Sequence, residues 1–345
     1  MKYLVIIITL LLISCQSEEE KYAYIVNKYI LEQPSNFPNP IYNFENNPLT
    51  EKGVLLGKEL FYDGNLASDG IVACAFCHIQ KNAFTHHGHS LSHGVEDRIG
   101  TRNAPPLQNL IYNKYFMWDG VAENLDLVSI IPITSEFEMD HNLTEIMEYL
   151  KVSRSYNKMF KEAFIDGEIN SENFLKAISQ FLATLISSNS KYDKVIRNEG
   201  EIFTSTEQRG YEVFLRKCST CHSSSLFTDQ TFRNTGLPIN PIVDDKGRFK
   251  FTELEVDAYK FRVPSLRNIA LTAPYMHDGR FLNLDAVLDF YTNGVVNTQN
   301  LDASLIQTNG RLGISLSDQE KQDIKQFLET LTDIEFISNS KFSEF

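Results

Sequence analysis

Two stretches of the chain carry apolar residues at helical spacing. In residues 171–187 and 317–333 these residues recur three or four positions apart, which places them on one face of a helix. They are Phe174, Leu175, Ile178, Phe181, Leu182, Leu185, Ile324, Phe327, Leu328 and Leu331. Ser317 followed by Glu320 is a capping box that predicts the start of the second helix. Because no stretch alternates convincingly between polar and apolar residues, the pattern predicts an all-α protein.

The pattern also repeats along the chain. GKELFY (57–62) has a counterpart in GYEVFL (210–215). Farther on, APPLQNLIYNKYFMWDGVAENLD (104–126) aligns without a gap with VPSLRNIALTAPYMHDGRFLNLD (263–285), and nine of the 23 positions are identical. Such self-similarity indicates two copies of one structural unit. We therefore predict two related modules, each with a helix that carries Gly-x-Glu-x-Phe and with a later returning segment.

Length and charge narrow this picture. A chain of 345 residues suggests about two domains, and we place them at residues 45–199 and 200–345. The net charge of -13 argues against a nucleic-acid partner, for which a basic face is expected. Residues 223–261 form a long, mostly irregular insertion in the second module, to which the sequence assigns no role.

Each module contains the same cysteine motif, CAFCH at 74–78 and CSTCH at 218–222. The two Cys-x-x-Cys pairs could hold one zinc ion, and a single pair could be a redox disulfide. A histidine directly after each pair instead fits c-type haem, in which the cysteines form thioethers to the porphyrin and the histidine binds iron. The motifs thus predict two covalently bound haem c groups. The residues involved are Cys74, Cys77, Cys218 and Cys221 as attachment points and His78 and His222 as iron ligands.

The N-terminus indicates export. MKYLVIIITLLLISC (1–15) has a lysine, an apolar run too short to span a membrane stably, and then Cys15. The ending LISC resembles the lipobox of bacterial lipoproteins, in which the cysteine is lipidated; the alternative is an ordinary signal peptide. We predict a signal peptide at 1–15, a lipid anchor on Cys15 and a tether at 16–44. This places the protein in the cell envelope of a Gram-negative bacterium, periplasmic or surface-exposed.

The repeat allows the two irons to be compared. Twelve residues after the glycine shared by both modules, the second module has Tyr291 and the first has Pro132. A tyrosine in this position can bind iron and a proline cannot, so one haem would be capped on both sides while the other stays open. Met276 is a rival ligand, although its counterpart Met117 recurs in the first module. The comparison suggests that the second haem relays electrons and the first performs chemistry.

From about residue 45 to the C-terminus, the chain resembles the bacterial di-haem cytochrome c peroxidases and the related MauG-type enzymes. The order of seven motifs carries this resemblance. They are CAFCH, GTRNAP (100–105), FMWDG (116–120), EFEM (136–139), CSTCH, RVPSLRN (262–268) and APYMHDG (273–279). The resemblance implies two haem domains, a peroxidatic N-terminal one and an electron-transfer C-terminal one.

The resemblance also implies roles for single residues. Trp118, the only tryptophan of the chain, matches the residue that carries electrons between the haems. Glu138 matches the acid–base glutamate, which can move a proton between the two oxygens of peroxide. His93 matches the histidine that caps the peroxidatic iron in the resting state, and its neighbours His86, His87 and His89 are alternatives.

A structural calcium ion between the domains is implied as well, with Asn103, Thr272 and Pro274 around it. Two positions depart from the usual peroxidase pattern. Val128 stands where the family often has glutamine, and Tyr291 replaces a methionine, as in MauG-type enzymes. A tyrosinate ligand stabilises ferric iron. The sequence therefore combines a peroxidase-like His93 with a MauG-like Tyr291.

Three functions follow. The first is a cytochrome c peroxidase that reduces hydrogen peroxide to water with electrons from a small cytochrome c or cupredoxin. The second is a MauG-like oxidase that uses peroxide to oxidise a protein or organic substrate. The third is an electron-transfer cytochrome without catalysis, which would not require Glu138. The resemblance also allows a homodimer.

Overall fold

The computed structural model describes residues 28–344. The predicted signal peptide, Cys15 and the first part of the predicted tether lie outside the described residues. The described chain is rich in helix, as expected. Its α-helices are α1 Glu51–Tyr62, α2 Cys74–Cys77, α3 Leu125–Val128, α4 Ile130–Thr134, α5 Leu143–Val152, α6 Arg154–Ala163, α7 Ser171–Thr184, α8 Lys191–Ile196, α9 Ser205–Lys217, α10 Phe249–Thr252, α11 Leu284–Asp289, α12 Asp318–Glu329 and α13 Ile334–Ser338.

Other regular structure is sparse. Two short antiparallel strands pair, with Phe232 opposite Arg262; they are β1 Phe232–Arg233 and β2 Phe261–Arg262. Single 3₁₀ turns lie at Gly64–Leu66, Gln80–Asn82, Val95–Asp97, Leu110–Tyr112, Glu255–Asp257, Ile269–Leu271 and Ala303–Leu305. Over the described range, no helix is both long and apolar enough to cross a lipid bilayer.

In the first module, α1 packs against α7. The predicted apolar face of α7 is buried, and the helix begins after Asn170, whose side chain accepts a hydrogen bond from the Asn173 amide. Gly57 makes the close helix crossing possible, because a Cβ at this position would collide with the carbonyl of Ala177. Packing this tight leaves no room for any side chain on the crossing residue.

A matching crossing occurs between α9 and α12. Ser317 caps α12 and forms the predicted capping box with Glu320. Gly210 lies where the two helices meet, and a Cβ there would collide with the carbonyl of Asp323. Gly57 and Gly210 are the first residues of the two Gly-x-Glu-x-Phe segments, so the two segments make the same kind of contact.

Two aromatic-rich cores lie around these helix pairs. The first core contains Phe61, Phe84 and Phe181, with ring centroids 5.2 to 6.0 Å apart where they touch. The second core is built around Phe327, which contacts Phe214 at 5.1 Å. Burying an aromatic side chain of this size contributes about 1.5–3 kcal/mol to folding. The cores therefore supply most of the stability of each helix pair.

The cores do not follow the predicted boundary between residues 199 and 200. Tyr192 on α8 packs into the second core. At the other end of the chain, Phe336 and Phe342 return to the first core and contact Phe84 at 5.6 and 6.4 Å. The Tyr62 hydroxyl donates a hydrogen bond to the Phe342 carbonyl (2.7 Å). Aromatic residues near the C-terminus thus complete the hydrophobic core of the first, N-terminal module.

Residues 28–44, predicted as part of the tether, lie against the protein. Phe37 is buried in the first core. The Tyr42 hydroxyl donates to the Asp126 carboxylate (2.6 Å), and the amides of Ile41 and Tyr42 donate to the carbonyl of Ile111. This part of the predicted tether therefore packs on the first module, where its aromatic residues have apolar and polar partners.

A buried ion pair lies at the junction of the two cores. Arg267 donates two hydrogen bonds of 2.8 Å to the Asp193 carboxylate, and neither side chain is exposed. The Arg267 guanidinium also lies 4.3 Å from the centroid of the Phe37 ring and donates to the Ser225 carbonyl. Asn36 donates to Asp193 as well (2.7 Å). The pair therefore joins the N-terminal segment, α8 and the returning segment of the second module.

The insertion at 223–261 contacts the first module. Asp245 accepts hydrogen bonds from Arg102 at 2.6 and 3.0 Å. Arg248 donates to the Asp119 carbonyl (3.0 Å) and its guanidinium lies 3.9 Å from the centroid of Phe232. The insertion is mostly irregular, as predicted. Its charged residues Asp245 and Arg248 bind it to Arg102 and Asp119 of the first module.

Candidate functional site

Both motif histidines are held in the same way. The Nδ1 atom of His78 lies 2.8 Å from the Phe84 carbonyl oxygen, and that of His222 lies 3.1 Å from the Phe227 carbonyl oxygen. A carbonyl partner requires the proton on Nδ1, which leaves Nε2 free to bind a metal. Burial lowers the pKa of His78 to about 4 and also lowers that of His222. Both rings are therefore neutral, as an iron ligand must be.

The four motif cysteines are free thiols. Burial raises the pKa of Cys74 and of Cys218 to about 12, so neither is a thiolate at neutral pH. Within residues 28–344, no group of three or more His, Cys, Asp or Glu side chains is arranged to hold a metal ion. The alternative of one zinc site built from both cysteine pairs is therefore wrong.

A cavity of about 250 Å³ adjoins the second motif. The predicted haem residues on its walls are Cys218, Cys221, His222, Met276 and Tyr291. Much of the remaining lining is aliphatic, with leucines and isoleucines from α11, α12 and the segments around them. Two thiols, a neutral imidazole and apolar walls fit a covalently attached haem.

Tyr291 reaches this cavity from an unusual turn. Residues Phe290–Gly294 form a widened, π-type helical turn directly after α11, a feature that is frequent at functional sites. Gly313 packs directly against the backbone of this turn. Its φ is +84°, and a Cβ there would collide with the Tyr291 carbonyl. Burial raises the pKa of Tyr291. Tyr291 and Met276 both line the cavity, so the structure leaves both as candidate ligands.

The first motif lies beside the segment that carries Glu138. The Cys77 thiol is 3.7 Å from the His93 carbonyl oxygen, and the Val95 amide donates to the Glu138 carbonyl (2.8 Å). Gly94 has no side chain because a Cβ would collide with the backbone of Glu138. This close approach brings the motif, His93 and Glu138 together. Burial raises the pKa of Glu138, which suits a group that must both accept and donate a proton.

Pro132 belongs to the same corner of the molecule, because its carbonyl accepts a hydrogen bond from the Met139 amide (3.1 Å). The position that corresponds to Tyr291 in the repeat thus lies next to the Glu138 segment. Proline has no side-chain atom that can bind iron, so the first module has no ligand at this position.

Three of the four histidines near the first motif form a row. The ring centroids of His86 and His89 are 3.8 Å apart, and those of His89 and His93 are 4.3 Å apart. His93 Nδ1 lies 2.6 Å from the Asp97 carboxylate, whereas His87 is exposed. His86 is buried, and its Nδ1 has no hydrogen-bond partner. The sequence offered no means to separate a buried histidine from an exposed one in the run HHGH.

Trp118 links the first module to the cavity of the second motif. Trp118 lines that cavity, and its Nε1 donates to the Asn103 carbonyl (2.8 Å). The cavity is also lined by Asn103, Thr272 and Pro274, the residues predicted around calcium. The Asn103 amide donates to the His277 carbonyl (2.7 Å), which ties the two returning segments together.

Comparison with known proteins agrees with this geometry. Residues 51–201 match the family described as di-haem cytochrome c peroxidase. The methylamine utilization protein MauG of Methylorubrum extorquens is 34% identical over 310 residues, which cover 87% of this chain and 82% of that protein. The chain belongs to the di-haem cytochrome c peroxidase family.

Two further proteins are similar to this chain over most of their length. The cytochrome c551 peroxidase of Pseudomonas aeruginosa is 29% identical over 305 residues, which cover 86% of this chain and 83% of that protein. The crystal structure of a MauG-like protein associated with microbial copper homeostasis has a TM-score of 0.82 and is 33% identical. The match covers 91% of this chain and 99% of the chain in that crystal structure. The resemblance drawn from the motifs is confirmed.

Proposed function

We propose that the protein reduces hydrogen peroxide to water at a haem c attached to Cys74 and Cys77. The observation that carries this proposal is the partly buried Glu138, which the Gly94–Val95 turn holds beside the first motif. When bound, the haem supplies the iron at which peroxide oxygen is reduced, with His78 as the ligand from the protein.

Glu138 is the proton carrier in this proposal. Its carboxylate takes the proton from one oxygen of hydrogen peroxide and delivers it to the other, so that one oxygen leaves as water. Each turnover consumes two electrons and two protons and yields two water molecules. Burial favours the protonated state of Glu138 and so opposes permanent ionisation. The same carboxyl can then serve as base and as acid.

Electrons would enter through the second module. The cavity beside Cys218, Cys221 and His222 is the proposed site of the second haem, with Tyr291 or Met276 as the second ligand. Trp118 is the proposed path between the modules because it belongs to the first module and lines this cavity beside the second motif. A small cytochrome c or a cupredoxin is the proposed donor. His93 is the proposed cap of the first iron at rest.

The matched contacts support the repeat as the origin of the two haem modules. Gly57 and Gly210 make equivalent helix crossings, and the two motif histidines have equivalent carbonyl partners. In the first module the Thr85 hydroxyl donates a hydrogen bond to the Ala104 carbonyl, and in the second the Thr228 hydroxyl donates one to the Val263 carbonyl. We assign residues 45–199 and 200–345 to these modules, apart from the exchanges around Tyr192 and the C-terminal tail.

The calcium ion, the lipid anchor on Cys15, the Gram-negative envelope location and the homodimer remain proposals. Carbonyl oxygens are suitable calcium ligands, and Asn103, Thr272 and Pro274 all line the same cavity, which supports a site near them. Inductively coupled plasma mass spectrometry of the purified protein, before and after treatment with a chelator, measures calcium directly.

A MauG-like oxidation of a protein or organic substrate is the second candidate. Tyr291 favours it, since this tyrosine lies in the second cavity and a tyrosinate ligand stabilises ferric iron. Stopped-flow spectra with peroxide separate the two. Rapid oxidation of reduced cytochrome c by the half-reduced protein alone supports the gated peroxidase. A long-lived oxidised spectrum, formed from the fully oxidised protein with little donor use, supports the MauG-like reaction.

Glu138→Gln tests the proposed chemistry. The amide cannot carry the proton, so we expect peroxide turnover to fall about 10²–10⁴-fold while both haems remain attached. Glu136→Gln is the matched control, because it makes the same change two residues away at an exposed side chain; its turnover should equal that of the wild type. Retained turnover in Glu138→Gln contradicts the assignment. Absence of turnover in the wild type with an efficient donor favours a non-catalytic electron-transfer cytochrome.

A further inference from the structure

Arg262 lies on β2 at the boundary between Trp118 and the cavity of the second motif. Its backbone amide donates to the Trp118 carbonyl (2.7 Å), and its Nε donates a longer hydrogen bond to the Met117 carbonyl (3.4 Å). Arg262 lines the cavity together with Cys218 and Cys221. A positively charged residue thus borders a largely apolar space.

Within residues 28–344, Arg262 forms no ion pair, in contrast to two other partly buried arginines that line the cavity or lie near it. Arg102 pairs with Asp119 and Asp245, and Arg233 pairs with Asp229 and Asp302. Burial lowers the pKa of Arg262 to about 10, which agrees with the lack of a carboxylate partner.

A cation that is partly removed from water without a counter-ion is unfavourable, and charges inside proteins are usually paired. A molecule that fills the cavity can supply the missing anion. A guanidinium recognises a carboxylate through two parallel hydrogen bonds. The proposed occupant, haem c, carries two propionate carboxylates on the edge of its porphyrin.

We propose that Arg262 binds a propionate carboxylate of the haem attached to Cys218 and Cys221. This inference rests on the proposed function, since that function places the haem in the cavity. The contact would give the cavity its charge balance and fix the orientation of the haem relative to Trp118. Arg262 is thus a positioning residue: it orients the haem and takes no part in breaking the peroxide bond.

The midpoint potential of the second haem tests this contact. A cation beside the propionate favours the reduced haem, so its loss should lower the potential. At pH 8, where the propionate is ionised, we expect Arg262→Gln to shift the ratio of oxidised to reduced haem about tenfold, which is ~59 mV for a one-electron couple. Arg262→Lys keeps the charge and should lie much closer to the wild type.

Lys260→Leu is the matched control. It removes one positive charge two residues away, but the Lys260 ammonium faces Asp257 at 3.5 Å and does not line the cavity. Spectroelectrochemical titration gives both potentials, and the signal altered by Tyr291→Phe identifies the second haem. An unchanged second potential in Arg262→Gln, or an equal shift in Lys260→Leu, overturns the inference.

Haem content separates this inference from the proposed function. The thioether bonds need only the cysteines and histidine of each motif, so every variant should contain two haems per chain by the pyridine haemochrome assay. Two haems with an unchanged potential in Arg262→Gln refute the role of Arg262 and leave the peroxidase proposal standing. Fewer than two haems in the wild type refutes the proposed cofactor content, and this inference with it.

Discussion

Removing the charge of Asp193 should weaken the fold at the junction of the two cores. Asn at this position keeps the shape of the side chain and still accepts one hydrogen bond, but it leaves the Arg267 guanidinium without its counter-ion. Breaking one partner of a buried pair typically costs about 3–5 kcal/mol. Arg267 keeps the Ser225 carbonyl and the face of Phe37, so we expect a loss near the lower end, about 3 kcal/mol.

The double variant Asp193→Asn, Arg267→Met tests the coupling. With both charges gone, no uncompensated charge remains, so the double loss should be smaller than the sum of the single losses by about 2 kcal/mol. Lys194→Met is the matched control on the same helix, because Lys194 pairs with Glu335 at 2.9 Å but on the exposed surface. Such a pair contributes at most about 1 kcal/mol.

Urea unfolding of the haem-loaded protein, followed by far-ultraviolet circular dichroism, gives each free energy. The pH dependence adds a second readout. Burial alone would raise the pKa of Asp193, but the hydrogen bonds and charge of Arg267 lower it below its usual value. Its contribution is therefore complete above the unfolded pKa of about 3.9 and is lost as the pH falls below it. Wild type and Asp193→Asn should converge in acid. Equal losses in Asp193→Asn and Lys194→Met at pH 7, or additive losses in the double variant, would refute the reasoning.

Two further predictions concern the first module. Gly94→Ala pushes against the Glu138 backbone, so peroxide turnover should fall at least about tenfold, as expected for a misplaced catalytic group. Steady-state kinetics of the variant with full haem content measures this fall. An unchanged kcat contradicts the prediction. Phe336→Ala opens a cavity beside Phe84 and should destabilise the protein by about 3–5 kcal/mol. The exposed Ile334→Ala on the same helix should change the unfolding free energy by less than about 0.5 kcal/mol. Similar losses in both variants would show that the tail does not belong to the core.

The parts that the sequence predicted correctly are those with a local cause. Helix α12 begins where the Ser317 capping box places it, because the box involves only the four consecutive residues from Ser317 to Glu320. The two haem motifs are local as well, since five consecutive residues contain the attachment chemistry. The family resemblance depends on these short motifs and their order.

The contacts that the sequence left undetermined are long-range. Nothing near Phe336 indicates that its ring belongs to the first core, because an apolar residue shows that it is buried but not against what. The same holds for Phe37, whose partner Arg267 is distant in the chain. The sequence assigns no role to Arg262, the first residue of RVPSLRN. Whether an arginine has an acidic partner can be recognised only after folding has placed every carboxylate.

The returning C-terminal tail has a consequence for the order of assembly. Polypeptides are made from the N-terminus and generally fold as units become available. The first core includes Phe336 and Phe342, so it cannot close until nearly the whole chain has been made. During that interval the first motif can still be reached, whereas in the finished protein Cys74 packs against the first core. The late arrival of the tail thus leaves time to attach the haem before the first core closes around it.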